Sequence, residues 1–388
     1  MLKIIQICAA YKPAFVYGGP TMSVAKLAEE LTKAGQDVTV LATTANGKTE
    51  LEVPIGKETL VDGVKVYYFK RLTKDHTHFS PSLFWFLHQT LKSEKRKTKN
   101  EKIIVHIHAW WNLVSIFSRL VAKLHGVKVV LSPRGMLNKY TLSNNNSITK
   151  RLIHVFLGKP LLKKISFHAT SPAEKEDISA FINQEAHVLP NFIELPTSAI
   201  RKTSADDTYR LLFLGRINEI KGLQNLLSAL PILKRIKWSL TIAGEGEFGY
   251  VESLKLLTKE NNIDQQVKWV GHLSDNHKFD LLSNSDILIL PSYKENFANV
   301  VIESLAMGTP VLVNSKVGLS DYVTQTNLGW VTSTNSPQHL ADAIQQSFLD
   351  QEKRIHIREN APIIIRKDFD DTNLVNQYIA MYNKQSES

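Results

Sequence analysis

Short runs of Val, Ile and Leu alternate along the chain with longer stretches in which apolar residues recur every three or four positions. Six such runs fall in the first half: KIIQICA, DVTVLAT, VKVYYF, KIIVHIH, VKVVLSP and ISFHATS. Five more follow in the second: YRLLFLG, WSLTIAG, QVKWVG, DILILPS and TPVLVNS. The runs read as strands and the intervening patterns as amphipathic helices. In SVAKLAEELTKAG, Val24, Leu27, Ala28 and Leu31 share one helical face, and Gly35 supplies the stop, because glycine enters a left-handed C-cap cheaply. Strands this apolar need cover on both faces, which implies parallel sheets between layers of helices.

Near residue 191 the pattern lapses into NFIELPTSAIRKTSADDT, polar and interrupted by Pro196. The chain is therefore expected to divide into a domain over residues 1–190, a linker over 191–208, a second domain over 209–370 and a terminal helix over 371–388. That helix is expected to pack back towards the first domain. A length of 388 residues is too great for one hydrophobic core, which agrees. The expected fold class is α/β: two doubly wound, Rossmann-like parallel-sheet domains facing a cleft.

Composition changes this picture little, since 43% hydrophobic and 22% charged residues suit an ordinary globular protein. The one cysteine, Cys8, lies in an apolar run, which excludes a disulfide framework and fits a reducing compartment. The N-terminus reads as a strand and not as a signal peptide, and no apolar run approaches the ~20 residues of a membrane span. A cytoplasmic protein is expected. Charge is more informative. Residues 1–190 hold 27 Lys and Arg against 14 Asp and Glu, whereas residues 191–388 hold 20 against 23. Two segments of the basic half, SLFWFLHQTLKSEKRKTKNEK and KRLIHVFLGKPLLKKI, join aromatic and aliphatic residues to lysine clusters. Surface-bound segments use that combination on anionic lipid, although a solvated helix with a core-facing stripe fits either segment alone. The pair points to peripheral attachment at the inner face of a membrane. No nucleic-acid recognition motif accompanies the charge, so nucleic acid is not an expected partner.

Ligands of open parallel sheets bind beyond the carboxyl ends of strands, so the residues there are the candidates. Gly18 and Gly19 follow the first strand and precede a helix, where their amides either face a phosphate or simply make a tight turn. His106 and His108 end the fourth strand, and their alternate positions are read as pointing to opposite faces. No further ligand completes a metal site, so a structural histidine is favoured there. Arg134, in SPRGML, stands open between an anion and a surface acid. Arg216 and Lys221 place two cations ahead of a helix, against the helix dipole, a conflict that a bound diphosphate would resolve. Gly244 and Gly246, and Gly271 with His272, end two more strands and either line a nucleotide or form turns.

The stretch PSYKENFANVVIESLAMGTPVLVN holds two glutamates in an otherwise apolar setting. Glu295 falls in the loop after a strand, and Glu303 lies inside the next helix, with Asn296 as the expected N-cap. The amides of Phe297, Ala298, Asn299 and Val300 are expected to form an anion site between them. Asp368, Asp370 and Asp371 read as a helix cap and not as a metal cluster.

These residues resemble the family 4 retaining glycosyltransferases of the GT-B fold, over nearly the whole chain. Glu295 and Glu303 match the family's Glu, seven residues, Glu. GRINEIKG matches its Gly-Arg, four residues, Lys-Gly, and SPRGML and TSPAEKEDI look like segments of the same family. The resemblance implies that Glu303 holds the ribose of a nucleotide sugar and that Glu295 contacts the donor sugar. It implies further that Arg216 and Lys221 neutralise the leaving diphosphate, that His108 lies near the sugar and that Gly19 approaches a phosphate. One departure stands out: Ala298 replaces the glycine of the family's Glu-x-Phe-Gly, and its methyl narrows the approach of backbone to ligand.

The implied activity is retaining transfer of a hexosyl unit from a UDP- or GDP-sugar to a glycan or lipid-linked acceptor. The implied setting is bacterial surface polysaccharide or lipopolysaccharide synthesis, with neither metal nor other cofactor. A nucleotide-sugar epimerase of the same shape and a non-catalytic nucleotide-sugar-binding subunit are the alternatives. A glycosidase fits least, because its carboxylates flank the scissile bond from opposite sides.

Overall fold

The structure, a computed structural model, describes residues 2–97, 102–138, 158–196, 207–273, 275–333 and 336–387. It divides into two compact units, one of Met1–Ile193 with Asp371–Ser388 and one of Glu194–Asp370.

The strands of unit 1 are β1 (Leu2–Cys8), β2 (Asp37–Thr43), β3 (Ala45–Asn46), β4 (Thr49–Glu50), β5 (Glu58–Val61), β6 (Val64–Phe69), β7 (Lys102–His108), β8 (Lys128–Ser132), β9 (Ser166–Ala169) and β10 (Ala186–Val188). One sheet runs β10-β9-β8-β7-β1-β2-β6-β5, and β3 with β4 forms a separate ribbon. Strand order reverses direction between β1 and β7, which makes a crevice at their carboxyl ends the expected ligand position. The pairs of the eight-stranded sheet are parallel except β5–β6, an antiparallel edge that the sequence reading missed, and the β3–β4 ribbon is antiparallel too. The ETLV of β5, alternately exposed and half-buried, lacks the apolar density that marks the buried strands.

Alternate residues of β1 feed two cores. Ile4 and Cys8 pack with helix α1 (Gly19–Lys33) and the C-terminal helix Asp371–Glu387, through Val24, Leu27, Leu31, Leu374 and Tyr378. Ile5 and Ile7 pack on the other face, with helices α2 (Pro81–Lys97) and α3 (Leu113–Leu124). Helix α1 stops as its sequence requires, with Gly35 at φ +78°. Cys8 is buried, and burial pushes its thiol up to about 12, so it packs as a small apolar residue.

Much of the apolar surface in the first basic segment is core. Leu83, Phe84, Leu87 and Leu91 are buried and Phe86 packs against them, which leaves Trp85 as the solvent-facing aromatic, 65% exposed. Half of the second segment, residues 150–157, lies outside the described residues, and its Leu161 and Leu162 are buried. The segment read as a linker begins with Asn191, Phe192 and Ile193, all buried within unit 1.

Unit 2 is a wholly parallel sheet of β11 (Tyr209–Leu214), β12 (Trp238–Ala243), β13 (Val267–Gly271), β14 (Ile287–Leu290), β15 (Val311–Asn314) and β16 (Gly329–Thr332), ordered β13-β12-β11-β14-β15-β16. Its switch point lies between β11 and β14. The loops that carry Arg216 and Glu295 leave those two strands.

Candidate active site

In unit 2 the turn after β11 packs directly on the end of β14. Gly222 takes φ +68°, and a Cβ there would meet the Pro291 carbonyl oxygen at 2.3 Å, so only glycine admits this approach. Tyr293 N–H donates to the Ile220 carbonyl at 2.8 Å. The loop of Glu295 is tied on its other side, where Glu295 N–H donates to Lys316 O and Gly318 N–H to Glu295 O. These bonds bring the Lys221 ammonium onto the Glu295 carboxylate. On sequence alone the helix dipole opposes Lys221 until a diphosphate binds. Glu295 already answers that charge. Arg216 is exposed, and among the described residues no carboxylate pairs with it. Asn218 Oδ1 and Ser292 Oγ, each three residues ahead of a member of the ion pair, are buried without a partner among the described residues.

Glu303 lies on helix α4 (Asn299–Ala306), its side chain 13% exposed, and accepts from Lys278 Nζ at 3.2 Å. Each glutamate thus faces its own lysine. The expected cap of that helix needs correction: it starts at Asn299, and its N-cap is Ala298 in the left-handed region at φ +73°. Asn296 lies too early to cap, because the loop needs a left-handed residue just before the first turn. Phe297 and Ala298 are buried, Asn299 and Val300 are half-buried, and Val301 N–H bonds back to Ala298 O at 2.9 Å.

The glycines after β12 have a backbone task. A Cβ on Gly244 would meet Gly215 O at 1.9 Å, and one on Gly246 would meet Ile217 O at 2.1 Å. Both positions let neighbouring loops close on each other, so turn packing accounts for them. His272 is exposed just beyond β13.

In unit 1 the reading of His106 and His108 on opposite faces is wrong. Residues two apart on a strand share a face, and the two rings lie 4.1 Å apart. His106 joins a chain whose direction follows from its ends. His168 Nε2 lies 2.9 Å from the Leu189 carbonyl, which can only accept, so Nε2 carries the proton. Ser132 Oγ then donates to His168 Nδ1 at 2.6 Å, His106 Nε2–H donates to Ser132 Oγ at 2.7 Å, and the Tyr382 hydroxyl donates to His106 Nδ1 at 2.7 Å. Every histidine in this chain is neutral, in keeping with burial that holds His106 well below its ordinary value and His168 down at about 3. Tyr378 and Tyr382, four residues apart, thereby pin the C-terminal helix to β7, β8 and β9.

His108, at the end of β7, lies 3.2 Å from Gln6 Oε1 through Nε2 and 3.4 Å from Arg134 Nη2 through Nδ1. Burial, then His106 and Arg134, hold it well below its ordinary value, so it too is a neutral Nε2–H tautomer. Gly19 is the first residue of α1, with Gly18 as its N-cap. Glu174, which the sequence reading passed over, is buried and accepts from Gly135 N–H at 2.6 Å and Thr170 N–H at 2.7 Å, fixing the loop that carries Arg134. The capping-box spacing of Ser171 and Glu174 was the available signal. Gln6, Asn191, Ser132 and Lys278 carried no comparable mark.

Comparison with known proteins agrees across both units. A family model described as "Glycosyltransferase Family 4" matches residues 17–196, and one described as "Glycosyl transferases group 1" matches residues 197–363. The chain belongs to the family 4 glycosyltransferases. It is 25% identical to an uncharacterized glycosyltransferase of Methanocaldococcus jannaschii, over 98% of each chain. It is 26% identical to a glycogen synthase of Mycobacterium tuberculosis, over 90% of this chain and 86% of that one. Among solved structures, Anabaena HepE in complex with UDP and glucose superimposes with a TM-score of 0.74 at 18% identity, covering 99% of this chain and 100% of that one. The fold is therefore GT-B. In this glycosyltransferase no helix among the described residues is long and apolar enough to cross a membrane.

Proposed function

We propose that the chain is a retaining glycosyltransferase that moves a hexosyl unit from a UDP- or GDP-sugar to a glycan or lipid-linked acceptor. The observation that carries this reading is the Lys221–Glu295 pair together with Arg216, which meets no carboxylate among the described residues, at the switch point of the unit 2 sheet. Breaking a sugar–phosphate bond builds negative charge on the diphosphate and positive charge on the anomeric carbon. Lys221, held in place by Glu295, and the exposed Arg216 supply the cations that stabilise the first. Glu295, held on Lys221, presents a carboxylate for the hydroxyls of the sugar, and Glu303 presents one for the ribose. The oxygens of Asn218 and Ser292, buried without a partner among the described residues, support a polar ligand here, since such atoms are costly to leave unsatisfied. With lysine and arginine meeting the phosphate charge, the chemistry requires no metal ion. The complex of HepE with UDP and glucose and the name of the glycogen synthase relative support a nucleotide-linked donor and a glycan acceptor.

We further propose that unit 1 attaches peripherally to an anionic membrane carrying a lipid-linked acceptor of surface polysaccharide synthesis. The exposed Trp85 on a helix that also carries Lys92, Lys95 and Arg96 supports this. Sedimentation that is equal with anionic and neutral vesicles would discard it. The donor reading is tested by thermal stabilisation against a panel of UDP- and GDP-sugars. One base and sugar should raise the melting temperature well above the others, and a flat panel would count against the proposal.

A further inference from the structure

Arg134 is a half-buried cation set among neutral groups, with its Nε enclosed. Its Nη1 donates to Ser23 Oγ at 3.2 Å and to Asn191 Oδ1, and its Nη2 lies 3.4 Å from His108 Nδ1. Among the described residues it makes no ion pair. Glu174 acts on it only at a distance, because that carboxylate is bonded to Gly135 and Thr170. Even partial burial of a guanidinium with no counter-ion is costly, and Arg134 Nε is buried without a partner among the described residues. Nε and Nη2 form the side edge of the guanidinium that receives oxyanions two-handed, and no protein oxygen occupies it among the described residues.

The backbone around it is strained as well. Arg134 itself takes φ +56°, and Ala109 and Trp111, in the loop just after His108, take φ +70° and +52°. Each such residue costs roughly 1–2 kcal/mol, and such strain concentrates where a loop is held for a ligand. Ser23 stands four residues into the 15-residue helix α1, so the positive end of that helix opens about 6 Å from the guanidinium contact.

We propose that Arg134 anchors a site in unit 1 for phosphoryl oxygens of a substrate, with Ser23, Asn191 and His108 orienting the guanidinium. The site goes beyond the residues assigned to the donor in unit 2. Its phosphoryl group comes either from the nucleoside diphosphate or from a phosphate carried by the acceptor. Isothermal titration of the full chain with inorganic phosphate, UDP, glucose 6-phosphate and glucose tests it, comparing wild type, Arg134→Gln and Arg134→Lys. Arg134→Gln should weaken at least one phosphorylated probe tenfold or more and leave glucose unchanged. Arg134→Lys, which keeps the charge and loses the fork, should fall between. A loss confined to UDP assigns the donor as source, and a loss confined to glucose 6-phosphate assigns the acceptor. If Arg134→Gln fails to fold by circular dichroism, the Arg134→Lys deficit decides. Wild type that binds no phosphorylated probe, or variants that bind all of them as wild type does, would overturn the site. Because the phosphate and glucose 6-phosphate arms need no nucleotide, failure of the donor reading would be seen separately.

Discussion

The ammonium of Lys221 sits on the carboxylate of Glu295, 74 residues further along the chain. The pair joins the turn after β11 to the loop after β14, the two strands that flank the switch point of unit 2. Lys221→Ala and Arg216→Ala are each expected to lower turnover by about 10²-fold, the usual cost of losing a preorganised charge stabiliser. Lys221→Arg should restore little, because a planar fork does not replace a compact ammonium on Glu295. Steady-state rates decide, and near-normal turnover in both alanine variants would remove the phosphate role.

Glu303 and Glu295 should separate kinetically. Ribose contacts persist from ground state to transition state, whereas contacts to the sugar change as its bond breaks. Glu303→Ala is therefore expected to raise the donor Kd with a smaller effect on kcat, and Glu295→Ala to lower kcat. Calorimetry with the nucleoside diphosphate checks the first. Unchanged affinity in Glu303→Ala would end that assignment.

Ala298 carries its methyl at φ +73°, immediately before the helix that bears Glu303. Ala298→Gly should relieve that strain and stabilise unit 2 by about 1 kcal/mol. A urea midpoint that falls in the variant would show that the buried methyl contributes more by packing than it costs in strain.

Acid should loosen unit 1. Burial lowers His106, His108 and His168 below their ordinary values, so each takes up a proton on unfolding. Stability rises with pH wherever the unfolded chain binds more protons, so it must fall as pH drops below about 6.5. For His168 the loss continues down to about 3, with a slope of up to about 1.4 kcal/mol per pH unit. Hydrogen exchange of the β7–β9 peptides between pH 7.5 and 5, corrected for intrinsic rates, should show it. His168→Gln should flatten the dependence, and an identical slope in that variant would refute the neutral chain.

The alternation of apolar runs with helical spacing was enough to read two parallel-sheet units, because buried parallel strands cannot avoid that signature. Glu295 in a loop and Glu303 on a helix were legible for the same reason, as residues placed by the strand before them. What escaped the sequence depends on contacts between distant segments. Glu295 as the partner of Lys221, and Tyr382 as the donor to His106 across 276 residues, are set by tertiary packing. The close approach of Gly244 to Gly215 O is likewise invisible until the loops are side by side. The faces of His106 and His108 were readable from strand periodicity and were read wrongly. The apolar residues of α2 look alike whether they meet a core or a lipid, and packing placed Leu83, Phe84, Leu87 and Leu91 in the core.

The central claim is that unit 2 breaks a nucleotide-sugar bond with its own cations and that the sugar keeps its anomeric configuration. Real-time proton NMR of the full chain with UDP- and GDP-sugars, in the presence of EDTA, tests it most directly. The account predicts that one donor is consumed at an undiminished rate with chelator present, and that the first anomeric signal of the product has the donor's configuration. A first product of inverted configuration, or consumption that stops when EDTA is added, would contradict it.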